Sequence, residues 1–128
     1  MKYLLDSSAC IAYIRRCDSL VKQRINNTAP ADMVLCTPVL TELVRGIYRS
    51  RTPQQERLRV QAFVQRFVVL PFDSAAAEHA GRVRAELDAL GRPIGVVDVY
   101  IAAVAIAGGL TLVKTLAMAA SLAYPSGP

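Results

Sequence analysis

With 128 residues, 53% of them hydrophobic, the chain is long enough to bury a core without disulfides or a structural metal, and it fits one domain over residues 1–128. Fifteen basic against ten acidic residues leave a formal net charge of +5, which allows a polyanionic partner without establishing one. The three cysteines, Cys10, Cys17 and Cys36, form no Cys-x-x-Cys pair, which argues against a disulfide framework or a zinc knuckle and for buried thiols in a reducing cytoplasm.

The N-terminus, MKYLLDSSACIAYIRR, carries too short an apolar core for a signal peptide, and Asp6 interrupts it. Lys2 to Leu5 reads as a short buried strand, and Asp6-Ser7-Ser8 supplies oxygen-bearing side chains of the kind that cap a helix. The helix that follows, about 8 to 17, places Ala9, Cys10, Tyr13, Ile14 and Cys17 on one face and Arg15 and Arg16 toward the other. A more polar helix is expected over 19 to 27.

Met33 to Cys36 is again strand-like, and Thr37-Pro38 opens a helix with Val39, Leu40, Leu43, Val44 and Ile47 on one face and Glu42 in its first turns. From Pro53 to Phe67 the pattern is helical and highly charged, and the run Val68-Val69-Leu70 breaks at Pro71. Asp73 or Ser74 caps a helix of about 75 to 90, striped by Ala76, Ala80, Val83, Leu87 and Leu90, with Gly91 at the position of a left-handed cap.

Residues 93 to 113, PIGVVDVYIAAVAIAGGLTLV, approach the length of a membrane span. Pro93 and Gly95 break the start, Gly108-Gly109 breaks the end, and Asp98 inside costs about 2.5 to 3.5 kcal/mol on insertion scales. The stretch reads instead as a helix of about 97 to 107 and a strand of about 110 to 113. Four short strands separated by helices predict an α/β domain with a mainly parallel sheet.

In such sheets ligands collect at the carboxyl ends of the strands. Asp6 follows the first strand directly, and Glu42 and Asp98 lie early in helices, so all three are expected at one edge. The rest of the catalytic inventory is sparse: His79 is the one histidine and sits on a charged helix, and no phosphate-binding glycine loop occurs. Three gathered carboxylates repel one another, a penalty that a divalent cation removes. Hard oxygen ligands suit Mg2+ or Mn2+, which activate water and steady charge on phosphorus oxygens. Each acid also has a structural explanation, Asp6 as a helix cap and the other two as acids favoured by a helix dipole.

The stretches LLDSSACIAYIRR, TPVLTELVRGIYRS and PIGVVDVYIAA, in this order and spacing, resemble PIN-domain ribonucleases, specifically the VapC-type toxins of toxin-antitoxin pairs. The resemblance covers about residues 1 to 113. It implies a three-layer α/β/α fold with a mainly parallel central sheet, and Mg2+- or Mn2+-dependent hydrolysis of RNA. It also implies that Asp6, Glu42 and Asp98 are acidic metal-site residues with Ser7 and Ser8 as hydroxyl partners, that the chain forms a homodimer, and that a cognate VapB-type antitoxin inhibits it.

The end of the chain departs from that pattern. The family continues after its last strand with polar groups and often a fourth acid, whereas here the sequence is LVKTLAMAASLAYP, and no Asp or Glu follows Asp98. Thr115 stands in for part of the missing motif. An alternative function is therefore a PIN-fold protein with impaired catalysis that acts by dimerisation and antitoxin binding. A phosphatase using Asp6 as nucleophile lacks the second aspartate expected two residues on, where Ser8 stands. Arg15, Arg16, Arg45, Arg49 and Arg51 are candidate guides for an RNA backbone, a role that competes with that of a solvated helix face.

Overall fold

The computed structural model describes residues 1–15 and 20–114. Four strands, β1 (Tyr3–Leu5), β2 (Met33–Cys36), β3 (Val68–Leu70) and β4 (Thr111–Val113), form one sheet in the order β3-β2-β1-β4. Every pairing is parallel, with Leu4 opposite both Val34 and Leu112, and Leu35 opposite Val69. Among the described residues six α-helices connect them: α1 (Ser7–Arg15), α2 (Leu20–Asn26), α3 (Thr37–Arg49), α4 (Pro53–Val64), α5 (Ser74–Ala89) and α6 (Val96–Gly108).

The strand order dictates the layers. The chain steps from β1 to β2 to β3 in one direction and returns from β3 to β4 in the other. Right-handed crossovers then put α1 to α4 on one face and α5 and α6 on the other. With both faces covered, consecutive strand residues are buried regardless of which way they point: Leu4, Leu5, Val34, Leu35 and Cys36 are all at most 1% exposed. The outer strand β3 is less sheltered, and Val68 is exposed.

Local chemistry sets the element ends. Pro38 and Pro53 lie in the first turns of α3 and α4, where their missing N–H costs nothing. Asp73, one of the two cap candidates, accepts from the Ala76 N–H at 2.9 Å at the start of α5. Gly91 (φ 64°) and Gly109 (φ 63°) close α5 and α6 in the left-handed region. At each, the next residue's N–H reaches back five positions, Arg92 to the Leu87 carbonyl and Leu110 to Ala105. A methyl group on Gly109 meets nothing within 4 Å, so Gly109→Ala tests the backbone alone. It is expected to lower stability by about 1 kcal/mol, read from a shifted urea midpoint at unchanged slope.

Two apolar positions differ from the sequence reading. Val44 is 37% exposed and Leu90 is 69% exposed, although the period placed each on a buried stripe. Val44 lies at the edge of the α3 stripe defined by the buried Val39, Leu43 and Ile47, and Leu90 is the cap residue past the last turn of α5. The charged helix expected to reach Phe67 ends at Val64, and Phe67 enters the core from the following turn. At 13 residues α6 is about 20 Å long, short of a bilayer core. No helix among the described residues is long and apolar enough to cross a membrane.

Candidate functional site

Asp6 occupies the junction between β1 and α1. Its N–H donates to the Val113 carbonyl at 2.9 Å, extending the ladder toward β4, and its carbonyl accepts from the Cys10 N–H at 3.1 Å, starting the helix. The backbone is that of a helix cap, but the carboxylate bonds differently from an ordinary cap. Oδ1 accepts from the Ser7 N–H at 2.7 Å and the Ser7 hydroxyl at 3.3 Å, while Oδ2 accepts from the Ser8 hydroxyl at 3.2 Å. The residue is only 6% exposed. Both serines thus hold the orientation of a buried anion at a helix N-terminus, where the helix dipole favours it.

Glu42 lies on α3, which leaves β2 without a loop, and it is half-buried. Asp98 is exposed in the first turn of α6. Because α6 runs back against the strand direction to enter β4, its start lies at the carboxyl edge of the sheet. Two contacts tie this edge together. The Phe72 ring, just beyond β3, packs on Tyr100 of α6 with centroids 4.7 Å apart, and the Phe72 N–H donates to the Thr37 hydroxyl at the start of α3 at 3.0 Å.

The elements that carry the three acids therefore start at one edge of the sheet, but the acids are not closed into a cage. Among the described residues no three His, Cys, Asp or Glu side chains form a group able to hold a metal ion between them. The sequence reading has them sharing one ion directly. In the structure each follows its own surroundings: Asp6 takes the serine hydroxyls, Glu42 lies 3.5 Å from Arg45, and Asp98 faces solvent. Mutual repulsion among carboxylates favours such local arrangements. The donor chemistry still fits a small hard cation, since Mg2+ is commonly held by one or two carboxylates and retains several waters.

Beneath Asp6 the thiols of Cys10 and Cys36 are buried. Burial pushes Cys36 up from its ordinary 9.0 to about 11, with the negative charge of Asp6 adding to the effect, and burial and Asp6 likewise raise Cys10. The unfolded chain therefore loses its Cys36 proton at lower pH than the folded one. Stability is retained below pH 9 and falls as pH rises toward 11, by on the order of 2 kcal/mol for this group. Urea titrations at pH 8 and 10.5 check the sign, and Cys36→Ser should flatten the difference.

Beside the acid edge, Ile11, Arg15, Glu42, Arg45, Gly46, Arg49, Ser50 and Glu56 line an open groove between α1, α3 and the start of α4. Three of the candidate RNA-contacting arginines, Arg15, Arg45 and Arg49, thus share a groove with Glu42. Arg16 and Thr115 lie outside the described residues, as does Cys17. His79 is half-buried and within 3.3 Å of Arg82, a helix-surface arrangement as expected. The residue that sequence reasoning missed is Glu56. It is buried at 8% exposure and ion-paired to Arg15, and the surrounding run PQQERLRVQ gave it the look of one more solvated charge.

The structure thus sets a buried carboxylate at the carboxyl edge of a parallel sheet, with a groove lined by arginines beside it. The PIN domain family profile matches residues 3–116, and the chain belongs to the PIN domain family. It is similar to several VapC proteins. It is 37% identical to the tRNA(fMet)-specific endonuclease VapC of Shigella flexneri over 88% of this chain and 85% of that one. It is 33% identical to ribonuclease VapC of Haemophilus influenzae, covering 89% and 86%. The crystal structure of DNA-bound VapBC from Salmonella typhimurium superposes with a TM-score of 0.83 at 34% identity, over 89% of this chain and 86% of that one.

Proposed function

We propose that the chain is the toxin of a toxin-antitoxin pair and an endoribonuclease that uses Mg2+ or Mn2+, acting in the cytoplasm as a single PIN-like domain that pairs with a second copy. The observation that carries this reading is a buried, serine-held Asp6 at the end of β1, with Glu42 and Asp98 on helices that begin at the same edge. The names of the relatives, endonuclease and ribonuclease, support it.

Asp6, Glu42 and Asp98 would hold the ion, with Thr115 contributing a hydroxyl. The ion would supply a nucleophile active at neutral pH and a positive charge beside the phosphate oxygens. The chain's own residues set the geometry. Ser7 and Ser8 keep the Asp6 carboxylate in one orientation, so little ordering remains when substrate arrives. Arg15 and Arg45 draw the phosphate backbone toward Glu42. The superposition on VapBC supports a VapB-type antitoxin as the physiological partner.

Purified chain incubated with structured RNA and either Mn2+, Mg2+ or EDTA tests the proposal. Internal cleavage of RNA with either metal, and none in EDTA, is the expected result. The absence of any acid after Asp98 favours a second reading, a PIN-fold binding protein with weakened catalysis. Uncut RNA at every metal concentration, together with tight antitoxin binding, would establish that reading in place of the first.

A further inference from the structure

Glu56 is a buried carboxylate for which the proposed chemistry has no use. Its side chain is 10% exposed, and its two oxygens face two different cations: Oε1 lies 3.5 Å from Arg15 Nε, and Oε2 lies 3.9 Å from Arg59 Nη1. A buried charge is costly unless paired, and an apolar residue of similar size packs such a position at least as well. The Arg15 side chain is half-exposed, so its pairing with Glu56 adds little to stability. The arrangement therefore calls for an explanation other than folding.

The geometry of Arg15 supplies one. Glu56 engages the guanidinium through Nε, at its near end, while Nη2 extends toward α3 and lies 3.7 Å from where a Cβ on Gly46 would stand. Arg15 lines the groove together with Glu42, Arg45 and Arg49. An arginine fixed in this way presents donors to a phosphate without first having to give up the freedom of a long side chain.

We infer that Glu56 is a positioning residue, holding Arg15 in the groove beside Glu42 to receive a phosphate of the RNA. This rests on the ribonuclease reading above. Glu56 does not touch the substrate; it acts through Arg15.

The test compares wild type, Glu56→Gln, Arg15→Ala, Arg15→Lys and the Glu56→Gln/Arg15→Ala double variant. Three quantities are measured: cleavage kinetics, thermal melting, and metal-free binding of a 2′-O-methyl RNA oligonucleotide by fluorescence anisotropy. Glu56→Gln and Arg15→Ala should each raise KM and the oligonucleotide Kd by about three- to tenfold, with much smaller changes in kcat. The double variant should be no weaker than Arg15→Ala alone. Arg15→Lys, which keeps the charge but loses the Nε contact, should fall with Arg15→Ala; this arm decides the matter if Glu56→Gln does not fold. Wild-type affinity in Glu56→Gln or Arg15→Lys, or additive losses in the double variant, overturns the inference while leaving the ribonuclease reading intact. A wild-type protein that neither cuts nor binds RNA overturns both.

Discussion

On the ribonuclease reading, Asp6→Asn should lower RNA cleavage by a factor on the order of 100 or more at saturating Mn2+, while the protein stays folded. The substitution preserves shape and exchanges one carboxylate oxygen for an NH2 group. The remaining carbonyl oxygen still accepts from the Ser7 N–H, the shortest contact of the carboxylate at 2.7 Å, and the new NH2 donates to the Ser8 hydroxyl. The local hydrogen bonding therefore survives, and the change in folding stability should stay within about 1 kcal/mol. What disappears is the negative charge buried at the end of β1, which neither serine can replace. Cleavage assays across a Mn2+ titration, paired with melting curves, separate the two effects. Full activity in Asp6→Asn would remove Asp6 from the site.

Leu35→Ala should destabilise the protein by about 3 to 4 kcal/mol, a large share of the roughly 5 to 15 kcal/mol available to a domain of this kind. Leu35 is fully buried on β2, an interior strand of the sheet with β1 on one side and β3 on the other. Helices cover both faces, so neighbouring groups cannot relax into the void without moving an entire layer. The same strand leads directly into α3, which carries Glu42. Activity should therefore fall in step with the unfolded fraction and recover on cooling to temperatures where the variant is folded. Equilibrium urea unfolding gives the magnitude; a loss below 1 kcal/mol would mean that β2 is not the packed interior strand described here.

Much of this architecture could be read from the amino-acid order. The strands at 3, 33, 68 and 111 are short apolar runs bounded by Asp6, Thr37-Pro38, Pro71 and Gly108-Gly109, and punctuation of that strength leaves little choice of boundary. Gly91 and Gly109 were legible as helix stops because few other residues accept a left-handed backbone. The exposure of Val44 and Leu90 was not legible, since helical period identifies a stripe but not how far a neighbouring element extends across it.

The candidate site divides in the same way. Alternation of strand and helix was enough to place the starts of the elements that carry Asp6, Glu42 and Asp98 at one edge. The direction of each side chain was not, because it depends on local partners: Arg45 one turn along from Glu42, and the serines that follow Asp6. Glu56 stayed hidden for a related reason. Its partner Arg15 is 41 positions earlier in the chain, and only the packing of α1 on α4 brings the two together.

The most direct measurement is Mn2+ binding, followed by electron paramagnetic resonance, for wild type, Asp6→Asn, Glu42→Gln and Asp98→Asn in the absence of RNA. If the three acids serve one ion, each substitution weakens binding by about tenfold or more, and all three act on the same population of bound Mn2+. Wild-type affinity in Asp98→Asn, the most solvent-exposed of the three, would contradict a shared site at the edge of the sheet.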